Sequence, residues 1–213
     1  MLQNDADLRA LVQTRTLDVA ILLFPEVEVL DFAGPFEVFA VASRIDRGHP
    51  PFRVRTVAAQ KTIPARHGLA VTPHACFADC APVDVLIVPG GIVDQPLADA
   101  ATLDWVAATT RQAVLTASVC TGAFILAKLG LLDGRAATTH WEDVPDLRRD
   151  YPAIRVLEDV PFVDEGAIVT SAGISAGIGM SLHLVGRILG PDAARRTARQ
   201  MQYDWEPKSA LAA

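Results

Sequence analysis

Three stretches of the chain are apolar along most of their length, and the rest arranges itself around them. Residues 17–24, "LDVAILLF", end at a proline; 84–91, "DVLIVPGG", end in Pro-Gly-Gly; 113–119, "AVLTASV", stop at Cys120. A strand that alternates apolar and polar positions has one wet face, whereas a continuous run is buried on both. "FRVRTVAA" (52–59) and "GLAVTPH" (68–74) read as further strands, with Gly, Pro and Gln between them as turn residues. Helical spacing is expected over 99–112, over 121–130 as far as Gly130, and over 175–189 and 191–203, with a Gly-Pro between the last two. "PFVDEGAIVTSAG" (161–173) reads as a hairpin.

Apolar strands alternating with helices predict an α/β protein: a doubly wound, mostly parallel sheet sandwiched by helices. No stretch is long enough to serve as a linker, so residues 17–205 form one expected domain. Residues 1–16 are then a flexible or short helical extension, and 206–213 a tail. Ligands bind such sheets beyond the carboxyl ends of the strands. The residues that follow the runs are Asp31, the Gly90-Gly91 pair and Cys120.

Composition narrows the function. The chain has 213 residues, 51% of them hydrophobic, enough for one sizeable core and short for two. Its net charge of −6 provides no basic surface for nucleic acid. The basic clusters "RRDYPAIR" and "AARRTAR" read as solvated helix faces. No apolar run is long enough to span a bilayer, and the first sixteen residues lack the pattern of a secretory signal. The expectation is a cytoplasmic protein with a small-molecule substrate and no nucleic-acid or membrane partner. Three cysteines, an odd number, argue against a disulfide scaffold. Cys76 and Cys80 lie near His74, but a fourth ligand is missing and the spacing is not that of a common zinc site, so no metal is expected.

"SVCTGAF" holds the candidate chemistry. A residue caught between strand and helix in a tight turn stands above the sheet edge. A helix starting at Thr121 would aim free N–H groups at the Cys120 thiol and favour the thiolate. Cys120 is therefore either a nucleophile or a small core residue. Asp31 reads as the N-cap of the helix that follows it, as an acid–base group, or as both, since the two roles are compatible. Glu37 reads as an ordinary helix residue. Gly90 and Gly91 suit close approach of backbone to a ligand, with a peptide N–H available to developing charge. His140 and Glu142, in "TTHWED", have an H-x-E spacing, and His140 also fits a partly buried structural histidine.

"LLFPEVEVLDFAGPFEVF", "DVLIVPGG", "SVCTGAFILAKLGLLDGRAATTHW" and "TSAGISAGI" resemble, in that order, the ThiJ/PfpI superfamily. The resemblance spans roughly residues 17–203 and implies the flavodoxin-like, class I glutamine amidotransferase-like fold. Within the superfamily the motifs look most like isocyanide hydratases, which convert R–N≡C to N-substituted formamides, and like the sensor domains of AraC-type regulators. Cys120 falls on the family nucleophile, Asp31 on the acid beside it, and Thr121 on the residue after the nucleophile in the hydratases. The intracellular-protease branch has a histidine where Thr121 stands, so a peptidase is rejected. Ile174 falls on a pocket-lining position, and His140 on a histidine that lies near the cysteine in several members. One departure is Gly179, where the family motif carries an acid. The resemblance implies a homodimer that needs no cofactor. Thr121 is expected to hold Asp31 or the attacking water. The chain ends at Ala213, which leaves no room for the helix-turn-helix region of those regulators, so a stand-alone hydratase is expected. The alternatives are a ligand or redox sensor, and a glyoxalase-like, deglycase-like or chaperone activity.

Overall fold

The computed structural model describes residues 5–45 and 48–206. The expected ends at residues 1–4 and 207–213 lie outside them. Seven strands form the main sheet: β1 (Leu17–Leu23), β2 (Phe52–Ala58), β3 (Ala75–Cys76), β4 (Val85–Val88), β5 (Leu115–Val119), β6 (Phe162–Asp164) and β7 (Ile168–Ser171). Their order across the sheet is β6-β7-β5-β4-β1-β2-β3, and every pairing is parallel except that of β6 with β7. This is the doubly wound arrangement expected, with the 161–173 hairpin at one edge. All residues of β4, β5 and β7 are buried, which is why these strands read as unbroken apolar or small-residue runs.

The helices are α1 (Asp5–Thr14), α2 (Val29–Ile45), α3 (Asp94–Ala98), α4 (Ala100–Gln112), α5 (Gly122–Lys128), α6 (Val144–Asp150), α7 (Ala176–Leu189) and α8 (Pro191–Gln200). α1, α2, α7 and α8 pack with one another, and α3 packs with α4 and α5. The opening segment takes the helical of its two expected forms: α1 buries Leu8 and Val12, and Arg187 of α7 holds Asp5 at 2.8 Å. In α8 the arginines at 195, 196 and 199 are exposed while Ala193, Ala194, Thr197 and Ala198 face inward, so "AARRTAR" is a solvated face.

The strand expected over 68–74 does not form. Only Ala70–Val71 pairs, with Ile63–Pro64, and it is Ala75–Cys76 that joins the main sheet. Pro73 has no N–H to offer a ladder, which breaks the run. His74 bonds Thr56 through Nδ1, with the Thr56 N–H at 3.1 Å, and stacks on Phe36. Cys76 and Cys80 are half-buried free thiols. No helix among the described residues is long and apolar enough to cross a membrane.

The strand order reverses between β1 and β4: β1 leads outward to β2, and β4 leads the other way to β5. A crevice opens at such a reversal beyond the strand ends. Two loops meet there. Residues 26–28, after β1, zip onto residues 90–92, after β4, through Glu28 N–H to Gly90 O (2.9 Å) and Ile92 N–H to Glu26 O (3.1 Å).

Candidate active site

Cys120 leaves β5 with φ +56°, the left-handed conformation that a non-glycine residue adopts only when its surroundings impose it. Three contacts do so. Its N–H is shared between the carbonyls of Ser171 (3.2 Å) and Ala172 (3.3 Å), and its carbonyl accepts the Thr139 hydroxyl at 2.8 Å. α5 begins so close to the end of β4 that a Cβ on Gly122 would collide with the Val88 carbonyl. The expected elbow is present, and the small residues after the cysteine make it possible.

Asp31 comes from the first turn of α2 and is fully buried. It caps nothing in its own helix. Its Oδ2 accepts the Gly90 N–H at 3.0 Å, across the zipped loops. The N-cap alternative is therefore set aside, because the carboxylate is turned towards a peptide fifty-nine positions away. Pro35 lies inside the same helix and has no N–H, so the Asp31 carbonyl lacks its usual donor four residues on. Asp31 Oδ1 is buried without a partner at full hydrogen-bond geometry. The Cys120 thiol and the Ile174 N–H lie near enough to the carboxylate to favour its charged form.

Electrostatics couple the acid to the thiol. Burial pushes Asp31 up to about 7, against the pull of the Gly90 N–H and with help from the Glu28 charge. Burial, and next the Asp31 charge, push Cys120 up to about 12. The expectation of a thiolate stabilised by a helix end is thus corrected: the Thr121 N–H lowers the thiol less than burial and Asp31 raise it. A carboxyl and a thiol this close titrate as one unit. Between about 7 and about 12 the pair carries one proton, with the carboxylate ionised and the thiol protonated.

Two further expectations change. The Thr121 hydroxyl does not hold Asp31; it accepts the Gly91 N–H and donates to the Gly91 carbonyl, both at 2.9 Å. With the Gly90 N–H on Asp31 and the Gly91 N–H on Thr121, neither donor of that turn is free for an oxyanion. The glycines instead let the turn approach the acid: a Cβ on Gly90 would lie 2.9 Å from Asp31 Oδ2. Ile174 is brought to the site, at φ +51° and 39% exposed, and its N–H faces both reactive groups. The role of that N–H was not legible, since a β-branched residue is the last expected at positive φ.

His140 packs its ring against Gly173, and its Nδ1 lies 3.4 Å from Asp143 Oδ2 and 3.8 Å from Glu142 Oε2. The nearer carboxylate is therefore Asp143, at the i+3 position, and its charge is felt at Cys120. Asp143 was missed because the H-x-E spacing drew attention to its neighbour. Glu37 is exposed on α2, away from this chemistry. Gly179 lies in the first turns of α7 under the edge of the Trp205 indole, 3.9 Å from where a Cβ would stand. Among the described residues no cluster of three or more His, Cys, Asp or Glu is arranged to hold a metal ion.

A doubly wound α/β fold with a cysteine on a strained strand-to-helix elbow, beside a buried acid from the first crossover, defines a class of cysteine-centred proteins. The chain belongs to the DJ-1/PfpI family, whose model matches residues 18–187. It is 38% identical to an isonitrile hydratase of Pseudomonas putida over 88% of this chain and 78% of that protein. It is 30% identical to the HTH-type transcriptional regulator CdhR of Pseudomonas aeruginosa, but spans only 54% of that longer protein. A ThiJ/PfpI family protein from Pseudomonas syringae superposes over 92% of this chain and 79% of its own, with a TM-score of 0.78 and 30% identity.

Proposed function

We propose that the protein is an isonitrile (isocyanide) hydratase. The observation that carries this reading is the Cys120–Asp31 pair, a soft nucleophile on a strained elbow beside a fully buried carboxyl that is raised to about 7 and held by the Gly90 N–H at 3.0 Å. The 38% identity to a hydratase supports it. The substrate's reacting end is a single unhindered carbon, which suits a thiol that is only 7% exposed. Leu30, Ile92 and Ile174, each partly exposed and next in sequence to Asp31, Gly91 and the Gly173 turn, offer apolar surface to the substituent.

In the first step Asp31 takes the thiol proton as sulfur attacks the terminal carbon, and then delivers it to that carbon. The C–S bond forms, and the product is a thioimidate, R–N=CH–S–Cys120. In the second step Asp31, again a carboxylate, accepts a proton from water as its oxygen adds to the same carbon, and the nitrogen is protonated. Collapse breaks the C–S bond, the thiol regains its proton, and R–NH–CHO leaves. The net reaction adds one water and needs no redox partner.

The test is to incubate the purified protein with an aryl isocyanide and follow formamide formation by absorbance and mass. Turnover that is abolished in Cys120→Ala supports the reading; no turnover of any alkyl or aryl isocyanide overturns it. A second reading, a ligand-sensing domain without turnover, is favoured by the regulator relatives. It predicts saturable binding of small molecules with unchanged product levels. The proposal includes a homodimer, and sedimentation at micromolar protein checks that part.

A further inference from the structure

A sizeable cleft lies away from Cys120. A cavity of ≈ 690 Å³ opens at the amino ends of β5 and β7, lined by Val114, Thr116, Leu131 and Ile168, with Arg111 and Arg135 among its walls. Cys120 stands past the other end of β5. It is four positions from Thr116, roughly 13 Å of extended chain. The cavity is therefore a different place from the candidate active site, on the same strand.

Its lining has the character of a small-molecule site: an apolar body with few, specific polar groups, at a volume within the range such sites occupy. Val114, Leu131 and Ile168 supply the apolar part, with Ala113 and Ala167 as small neighbours. Thr116 is almost fully buried, and its hydroxyl is directed at Thr110 at 3.4 Å. The charged groups are Arg111, Arg135 and Asp133. Arg15, Arg53, Arg55, Arg148, Arg149, Arg187 and Arg195 each have a carboxylate within ion-pair distance. Neither Arg111 nor Arg135 has an ion pair or a side-chain hydrogen bond among the described residues, and Asp133 is exposed. Two unpaired guanidinium groups beside one exposed carboxylate leave the mouth net positive, on a chain whose total is −6. A guanidinium fork matches the planar geometry of a carboxylate.

We propose that this cavity is a second ligand site, selective for a small molecule with an apolar body and one carboxylate, held by Arg111 and Arg135. Its occupant sits on β5 and on the turn that follows α5, so the site is linked to the strand that carries Cys120 without sharing a residue with the catalytic pair.

The test is an amide-shift NMR titration of the full chain with 4-phenylbutyrate, with its neutral amide and with inorganic phosphate. The expected result is saturable shifts over residues 110–116, 130–135 and 167–168 with the carboxylate, about tenfold weaker binding of the amide, and none of phosphate, which lacks the apolar body. Arg111→Gln, on an exposed side chain with no partner to lose, weakens the carboxylate several-fold and leaves the thermal midpoint unchanged. Ala113→Trp, which fills the cavity, removes binding. Equal binding of acid and amide, shifts centred on residues 118–122, or no saturable shift at millimolar carboxylate each overturn the proposal. So does self-association through this face, seen as a sedimentation change in Arg111→Glu together with absent probe binding.

Discussion

Asp31 and Asp164 are both largely withdrawn from water, yet they are shifted to opposite sides of the ordinary carboxylate value. Burial works to raise each of them. At Asp164, on β6, it is outweighed by the His183 hydrogen bond (2.7 Å), the Arg187 charge (3.2 Å) and the Gly166 N–H (2.8 Å), and the acid stays below its ordinary value. At Asp31 the partners are peptide N–H groups and a thiol, with no ion-pairing cation among the described residues, and burial wins. The first arrangement ties α1, α7 and the β6–β7 hairpin together through Arg187, which also bonds Asp5 and the Gly166 carbonyl. The second leaves a carboxylate able to gain or lose a proton near neutrality. A buried acid with cations around it holds structure, and one without them is available for chemistry.

The sharpest separation comes from turnover. Asp31→Asn keeps an acceptor oxygen for the Gly90 N–H but cannot take the thiol proton, so isocyanide hydration should fall by roughly a hundred- to ten-thousand-fold. Asp164→Asn should leave kcat within a few-fold of wild type. Steady-state rates of formamide formation for the two variants check this, and equal losses in both would erase the distinction.

Stability should respond the other way round. Asp164→Ala strips the carboxylate from His183 and Arg187 and leaves a nearly buried cation with fewer partners, at a cost of about 3 kcal/mol at pH 7. The contribution of Asp164 is present above the unfolded carboxylate value near pH 4 and is lost as pH falls through its lower folded value. Urea unfolding of the variant at pH 7 and at pH 3 measures both; a cost that does not shrink in acid would refute the ion-pair account.

The sign reverses for Asp31. Its folded value of about 7 lies above the unfolded one, so between about 4 and 7 the folded state binds more protons and stability falls as pH rises. The buried charge therefore costs most above pH 7, and Asp31→Asn removes that cost. The stability of Asp31→Asn relative to wild type should be about 2.5 kcal/mol more favourable at pH 8 than at pH 5. Taking a difference between two pH values cancels any fixed effect of the new amide. A pH-independent difference in unfolding free energy would mean that Asp31 is not raised.

The contrast also marks what could be read from residues alone. The elbow at Cys120 was legible because a seven-residue run stops at the cysteine and Thr-Gly-Ala follows it, and the sheet edge that carries the site was legible from where such runs end. The resemblance placed Asp31 beside the thiol. The local rule that made it a helix cap failed, because its partner is Gly90, far along the chain. Thr121 was misread for the same reason: its hydroxyl closes on Gly91, thirty residues earlier. Residues 134–160 gave no strand, and only "RRDYPAIR" there was read as a helix face. They hold the two-residue strands Ala136–Ala137 and Arg155–Val156 and the seven-residue helix α6, too short for a hydrophobic period to show. The network around Asp164 was invisible because it joins α1, α7 and the hairpin, which only the fold brings together.

The smallest expected effect concerns the clamp that presents Gly90 to Asp31. The Thr121 hydroxyl is the only side-chain group bonding the Gly91 peptide among the described residues, and it bonds both ends. Thr121→Val has nearly the same shape but leaves the Gly91 N–H and carbonyl without that partner, a loss of about 1 kcal/mol. The turn then holds the Gly90 N–H less firmly on Asp31 Oδ2. That hydrogen bond favours the charged acid, so weakening it moves Asp31 further up, and fewer molecules carry the ionised carboxylate at pH 7. Hydration by Thr121→Val should drop a few-fold at pH 7 and recover most of the loss at pH 8.5, while Thr121→Ser, which keeps the hydroxyl, should follow the wild-type profile. Rate–pH curves for the three proteins decide it. A Val variant whose loss is the same at both pH values would mean that Thr121 acts on the substrate and not through the turn.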